Sequence, residues 1–564
     1  MTSMNEQVAE RLERIGLGDH TATTEYRIYG PPGTGKTTNL TRQIQRAVDR
    51  FGDNSVLVTS FSKAAAAELT GRDTPIDLDR IGTLHSRCFH ALGKPAIAEV
   101  HAAEWNRTNP RLKITPVSRT TRLEGEDAIE EDAERVGAGD CLLQQLNRCR
   151  GMMLETKKWP TTVREFGLKW TQFKVANGLL DFCDLIEVSL RHVATAPHSP
   201  AVIVVDEAQD LNRMQLTLVR RWGRRADYLV LAGDDDQTIY AWAGATPDAI
   251  LDPDIPEDHK VFLKQSIRVP RVVHAVAERL IHQVSRRQEK TYRPRPADGE
   301  VHRLSHAGYR SPEYWILKSA ERHIKEGKTI MFLASCSYML RPIVAVLRRN
   351  GIPFHNPHRK SNGFWNPLRT GSRHSASNRM LALLAGHPGF GDAHRNWRFS
   401  DLALWTEWLR RDRLRPAATE AISANASHQE VSCEFMEIVF GSDALAKLRE
   451  SLGESPSALL NWWLDGLASE FRQRVQFPSD VAMFRGPQAL RRPPQVVVGT
   501  IHSVKGGQAD VVYLFPDLSK AADVQYWRCG PPRDSVIRTF YVGATRAREI
   551  LYICSGESGI AVSI

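Results

Sequence analysis

Gly30-Pro31-Pro32-Gly33-Thr34-Gly35-Lys36-Thr37 is the stretch in which residue type and spacing together allow chemistry. It fits the pattern G-x-x-x-x-G-K-[ST] in full, a loop whose backbone N–H groups close around phosphates. A helix starting at the end of such a loop adds partial positive charge at the same place. Lys36 is expected on the β- and γ-phosphates, and the Thr37 hydroxyl on Mg²⁺. Two further sets follow apolar runs. Asp206-Glu207 ends Ala201-Val202-Ile203-Val204-Val205, and Gln237 follows the run Tyr228 to Ala232 through Gly233-Asp234-Asp235-Asp236. In the first set Asp206 can hold Mg²⁺, directly or through water, while Glu207 polarises an attacking water. The Gln237 amide can sense a γ-phosphate and orient that water. Binding of a nucleoside triphosphate follows from the loop, and its hydrolysis from the residues around it.

Strands and helices must bring these groups together. Arg27-Ile28-Tyr29 reads as the end of a strand, and Thr38 to Phe51 as a helix with Leu40, Ile44, Ala47 and Val48 on one side. Ser55 to Thr59 is a short β-branched run leading to Ser60-Phe61-Ser62, with an alanine-rich helix expected from Lys63 to Leu69. From about Lys94 to Asn177 the sequence turns polar and helical, with an acidic block from Glu124 to Glu134, as an inserted subdomain would. Strands whose C-terminal ends carry the polar residues imply an open parallel α/β sheet with its ligand along that edge. A second α/β unit is read from the runs Lys328 to Ala334, Gln495 to Gly499, Val511 to Phe515 and Ile550 to Ile553. Between them, residues 361–492 form a tryptophan-rich, mostly helical insertion.

At 564 residues the chain is too long for one core. With 42% hydrophobic and 25% charged residues it reads as soluble and globular. No run approaches the roughly 18 apolar residues that span a membrane, and the polar first residues carry no apolar signal core. The eight cysteines include no C-x-x-C pair, which argues against zinc, iron–sulfur and disulfide frameworks and for a reducing, cytoplasmic interior. A formal charge of +10 makes an acidic polymer a partner to consider.

Taken together the motifs resemble a superfamily 1A helicase of the UvrD/Rep/PcrA type. Gly30 to Thr37 matches motif I, Ser60-Phe61-Ser62 with Ala64 to Leu69 resembles Ia, and Gly82-Thr83-Leu84-His85-Ser86 matches Ib. Leu180-Asp181-Phe182-Cys183-Asp184-Leu185 is similar to the D-F-x-D-L segment, and Asp206 to Asp210 is motif II. Gly233 to Ala245 matches motif III, Gln265-Ser266-Ile267-Arg268 motif IV, Gly499 to Gly507 motif V and Tyr541 to Arg548 motif VI. The resemblance runs in order from near residue 27 to residue 554.

It implies two RecA-like parallel-sheet P-loop domains, each with a largely helical insertion. The first is 1A (1–94 and 180–252) with insertion 1B (95–179), and the second is 2A (253–360 and 493–564) with insertion 2B (361–492). ATP and Mg²⁺ would lie in the cleft, with Thr38 and Gln209 joining Gly30 to Thr37 as nucleotide contacts and Thr37 and Asp206 as metal ligands. Glu207 and Gln237 would act in hydrolysis with Arg268 and Arg546 as arginine fingers. Single-stranded DNA and its junctions with duplex would cross both domains, over aromatic platforms Phe61, Tyr240 and Trp242, with Thr83, His85, Thr500 and His502 near the phosphates. Trp405 with Trp408, and Trp462-Trp463, read as helix packing, and Arg410 to Arg415 as a solvated helix face, with contact to duplex DNA as the alternative.

Three departures qualify the resemblance. Ala243 stands where arginine usually follows the motif III tryptophan, Gln508 replaces the motif V carboxylate, and the amino-terminal glutamine motif is poorly matched, Gln7 lying far ahead of Gly30. The reading is an ATP-dependent 3′→5′ helicase and translocase. The alternative is a DNA-activated ATPase serving a second protein, unidentified by sequence, as sensor or loader.

Nucleotide choice gives a first test. The family usually places an aromatic residue before the motif IV arginine and an arginine after the motif I Lys-Thr, where this chain has Ile267 and Thr38. Losing both stacking partners removes about 1–2 kcal/mol of base-dependent affinity. In kcat/KM measured with saturating single-stranded DNA, ATP should be preferred over GTP by less than about a hundredfold, some 2.7 kcal/mol. A larger preference would point to Tyr26 or residues 7–25 as a reader of adenine.

Overall fold

Short runs of β-branched residues that are apolar on both faces make parallel strands buried within a sheet. The computed structural model describes residues 24–61, 74–116, 137–357, 363–368, 374–425 and 428–564. The expected Lys63 to Leu69 helix, the Glu124 to Glu134 block and Gln7 lie outside those residues. Strand β1 (Thr24–Tyr29) leads through the glycine-rich loop into α1 (Lys36–Phe51), whose Leu40, Ile44 and Ala47 are buried at helical spacing. Next come β2 (Val56–Ser60), β3 (Ile81–Thr83) and α2 (Leu84–Ala91). Helices α3 (Ala102–Thr108), α4 (Ala138–Gly151), α5 (Thr161–Asn177) and α6 (Phe182–His192) follow. The chain then returns to the sheet with β4 (Val202–Asp206), α7 (Arg213–Gly223), β5 (Tyr228–Gly233) and β6 (Lys260–Phe262). The strands order as β3-β2-β4-β5-β1-β6, with parallel pairing throughout.

The chain divides into two compact units. The first holds Met1–His306, Leu333–Ser337 and Thr500–Ile564, and the second Ala307–Phe332 and Tyr338–Gly499. Besides the sheet above, the first unit contains β7 (Gln265–Pro270), α8 (Arg271–Ile281), β8 (Arg293–Arg295) and β9 (Glu300–Leu304). It ends with β10 (Ala509–Leu514), α9 (Pro531–Ala544) and β11 (Ala547–Cys554). There β11 pairs in parallel with both β10 and β9, while β7 pairs with β8. The second unit has a short parallel pairing of Phe354 with Val496 and is otherwise dominated by helices. Trp405, Trp408, Trp462 and Trp463 are all buried in it, and Trp463 Nε1 donates to the Trp405 carbonyl at 2.8 Å, so these four pack helices as expected. The arginines from Arg410 onward surround a surface 3₁₀ turn, Arg411–Arg413, and not a helix face. The fold is mixed α/β, with the large parallel sheets of RecA-like domains. Among the described residues no helix is long and apolar enough to cross a membrane.

The polar helical region after Lys94 is held to the start of α6 by charge. Asp181 caps α6, its carboxylate accepting from the Asp184 N–H while the Asp184 carboxylate accepts from the Asp181 N–H. Asp181 is fully buried, yet Arg150 of α4 reaches both its oxygens at 3.0 Å, Lys174 of α5 reaches one at 2.5 Å, and Trp170 Nε1 donates at 2.9 Å. The D-F-x-D-L-like segment is thus an anchor for α4 and α5. Beside it Glu99 accepts from the Phe182 N–H at 3.2 Å through one oxygen, while the other is buried with no partner.

Burial, reinforced by Asp181, pushes Glu99 up to about 8 from 4.5. A folded-state value above the unfolded one adds stability at low pH that is lost as pH rises from 4.5 through about 8. Glu99→Gln keeps the acceptor for Phe182 and cannot ionise. Denaturant midpoints of the two proteins should diverge in favour of the variant between pH 5 and pH 8. A constant difference across that range would show that Glu99 does not titrate in the folded state.

Candidate functional site

The glycine-rich loop lies against β7. The Ile267 N–H donates to the Gly33 carbonyl at 2.8 Å, and the Ser266 and Tyr292 hydroxyls both donate to the Pro32 carbonyl, at 3.0 and 2.7 Å. Gly33 is required here, because its φ is +73° and a Cβ would meet the Arg268 Cβ at 2.4 Å. At the start of α1, Lys36 Nζ donates to Asp206 Oδ1 at 2.7 Å and also bonds Glu207. Burial opposes the Lys36 charge, but Asp206 and Glu207 outweigh it and hold the ammonium protonated. Burial likewise works against the Glu207 carboxylate, and Lys36 with Lys505 overcomes it and holds the group well below the usual carboxylate range. Glu207 sits at φ 52°, ψ 40°, a left-handed conformation that costs a non-glycine residue about 1–3 kcal/mol and is found where function demands it.

Gln237 and Arg546 meet at the end of β5. The Gln237 Nε2 donates to Asp234 Oδ2 at 2.8 Å, and Arg546 Nη2 donates to Gln237 Oε1 at 3.2 Å. Arg546 is 1% exposed, and burial pulls it down to about 9, still charged at neutral pH. Arg268 donates through Nε to Gln508 Oε1 at 2.7 Å, so the residue that replaces the family carboxylate holds this arginine as a neutral amide. Sequence reasoning gave no role to Lys505, although it stands in the motif V segment. Its Nζ bonds Asp210, reaches the Gln237 carbonyl at 3.0 Å and lies 3.5 Å from Glu207 Oε2. It also lies 5.3 Å from the Tyr240 ring centroid, so one cation touches both the carboxylates and an aromatic ring. Burial pushes the Asp210 carboxyl up to about 7 in spite of Lys505.

The other expected site residues are either bonded or buried within the protein or stand near its surface. Gln209 is fully buried, its Nε2 donating to Glu207 at 2.5 Å and its Oε1 accepting from the Asp234 N–H at 3.1 Å. Both ends of its amide are occupied within the protein, and it joins the two strand-end loops. Gly233 makes room for it, since a Cβ there would meet Gln209 Oε1 at 2.2 Å. Phe61 is buried in the core with Leu57, Leu84 and Phe182, and its ring centroid lies 5.1 Å from that of Tyr240. Thr83 is buried as the cap of α2, accepting from the Ser86 N–H at 3.2 Å, and buried Thr500 accepts from the Ser503 N–H in the same way. Burial pulls His85 down to about 4, leaving a neutral ring. Tyr240, Trp242 and His502 do come together, with ring centroids 6.0 and 6.1 Å from that of Tyr240, and all three are partly exposed. Ile267 is exposed beside the loop, Thr38 is exposed on α1, and Tyr26 packs against Tyr228 and His259. Among the described residues no three His, Cys, Asp or Glu side chains are grouped to hold a metal.

Parallel strands that deliver these groups to one edge define a nucleotide-binding P-loop protein with RecA-like sheets. Residues 19–255 match the UvrD/REP helicase N-terminal domain. Two similar curated proteins are both named ATP-dependent DNA helicase PcrA. That of Staphylococcus aureus is 26% identical over 321 residues, 54% of this chain and 44% of the relative. That of Staphylococcus epidermidis is 25% identical over 315 residues, 52% and 43%. The match over residues 19–255 and these similarities support a chain of the UvrD/Rep/PcrA type. It spans less than half the length of the curated relatives it matches.

The grip of two carboxylates on Lys36 competes with phosphate. Glu207→Gln removes one charge from that competition, so equilibrium binding of a nucleoside triphosphate without divalent metal should tighten about threefold to tenfold, the range of one weakened ion pair. Unchanged or weaker binding would mean that Glu207 does not restrain the lysine.

Proposed function

We propose that the chain is an ATP-dependent DNA helicase that hydrolyses ATP while moving 3′→5′ along single-stranded DNA and opening its junctions with duplex. The observation that carries this reading is Lys505, which joins Glu207, Asp210, the Gln237 carbonyl and the Tyr240 ring through a single ammonium group. The printed names of the matched relatives support the activity, and the polarity rests on the resemblance.

In this reading an entering triphosphate draws Lys36 from the carboxylates. Glu207 then accepts a proton from water that Gln237 orients, and Arg546 and Arg268 stabilise charge on the transferred phosphoryl group, an effect worth about 10³–10⁵ in rate for one well-placed arginine. Mg²⁺, when bound, supplies positive charge to the phosphate oxygens. The Thr37 hydroxyl and Asp206 would hold it, and the donor set suits a cation because Asp206 and Glu207 already hold the Lys36 ammonium there. Bases stack on Tyr240 and Trp242 for about 1–3 kcal/mol each. Stacking on Tyr240 alters the surroundings of Lys505, and through it the hydrolytic carboxylates.

The test is ATP turnover with and without single-stranded DNA, beside displacement of 3′- and 5′-tailed duplexes. DNA-stimulated turnover and unwinding from the 3′ tail are expected. Lys36→Ala should abolish turnover, Glu207→Gln should retain nucleotide and lose hydrolysis, and Trp242→Ala should impair stimulated turnover more than basal. Stimulation with no displacement from either tail would replace the helicase by a DNA-activated ATPase that serves another protein. Substantial turnover by Glu207→Gln would remove it as the base.

A further inference from the structure

Lys290 lies between α8 and β8 with only 2% of its side chain exposed, and its surroundings are acidic. Its Nζ is 2.9 Å from Asp234 Oδ1, 2.5 Å from Asp235 Oδ1 and 2.9 Å from Asp236 Oδ2, all three carboxylates being buried. Arg287 grips Asp236 with Nε at 3.0 Å and Nη2 at 2.6 Å, and the Gln288 N–H donates to Asp235 Oδ2 at 2.8 Å. Arg287 and Lys290 are thus the two cations bonded to three buried carboxylates, and Lys290 is the one that touches every carboxylate.

The three aspartates are not equivalent. Asp235 and Asp236 face the 287–290 segment, whereas Asp234 has a second obligation toward the phosphate side. Its Oδ2 accepts the Gln237 Nε2 at 2.8 Å, leaving Gln237 Oε1 to accept from Arg546 at 3.2 Å. An amide presents its oxygen in one direction only while an acceptor holds its NH₂ end in the other. A carboxylate can keep that place in a buried site only while a cation compensates it. We propose that Lys290 is a positioning residue: by holding Asp234 it sets which end of the Gln237 amide meets Arg546 and the phosphate site. This inference rests on the hydrolytic role proposed above for Gln237.

A double-mutant cycle separates this role from simple packing, because residues acting through one another lose additivity. Steady-state ATP turnover of the full chain with saturating single-stranded DNA is measured for Lys290→Met, Gln237→Ala, their combination and Lys290→Arg, with thermal unfolding of each. Lys290→Met should lower kcat about tenfold, the scale of a small misplacement of a reacting group, with KM for ATP changed by less than about twofold. In the Gln237→Ala background the same substitution should cost less than about twofold more. Lys290→Arg should restore most of kcat by returning a cation to the carboxylates. Full additivity of the two losses, a parallel rise in KM, or a kcat that merely follows the unfolding temperature would overturn the inference. Should Lys290→Met not fold, Asp234→Asn is read in the same two backgrounds by the same criterion. Turnover unaffected by Gln237→Ala would instead overturn the hydrolytic reading itself.

Discussion

At the C-terminal ends of β4 and β5 the carboxylates of Asp206, Asp210, Asp234, Asp235 and Asp236 are each no more than 2% exposed, and each needs a cation in place of water. An uncompensated buried charge costs several kcal/mol, and removing one partner of such a pair typically costs about 3–5 kcal/mol. The cations come from the start of α1, from the segment after α8 and from the loop after Thr500, far apart in the chain. Charge compensation therefore dictates how these segments close on the strand ends. Even so it is incomplete: burial pushes Asp235 up to about 6 despite Lys290, and Asp210 up to about 7 despite Lys505.

The same pairing makes the site responsive. An ion pair between Lys36 and two carboxylates can be exchanged for one between Lys36 and phosphate, because the lysine is a point charge on a flexible stem. Arg546 behaves differently. Its guanidinium is held at Nε by the Val542 carbonyl at 2.9 Å and at Nη1 by the Gly507 carbonyl at 3.1 Å, both neutral, so its charge is not consumed within the protein. Arg268 donates through Nε to the neutral Gln508 amide.

Motif position alone did not separate the buried aromatic residue from the partly exposed ones. Phe61 follows a strand that is buried along its whole length, and its ring is drawn into the core with the neighbours of that strand. Thr83 and Thr500 spend their hydroxyls on capping, which satisfies N–H groups that a helical turn leaves without partners. Tyr240, Trp242 and His502 are the expected residues that stay partly exposed and grouped.

The sequence by itself determined the phosphate loop, the strands that end in Asp206 and near Gln237, the α/β class and the packing role of the insertion tryptophans. Each of these depends on local spacing, which a backbone of fixed period turns directly into geometry. Only the tertiary structure decided that Gln209 bridges two loops, that Phe61 is core, that Lys505 joins the carboxylates to Tyr240, and that Lys290 and Arg287 compensate three aspartates. Nothing local distinguishes Lys290 from any other lysine in a polar connecting segment. Its role comes from burial beside charges brought by a distant strand, and burial of that kind exists only once the chain has closed around it.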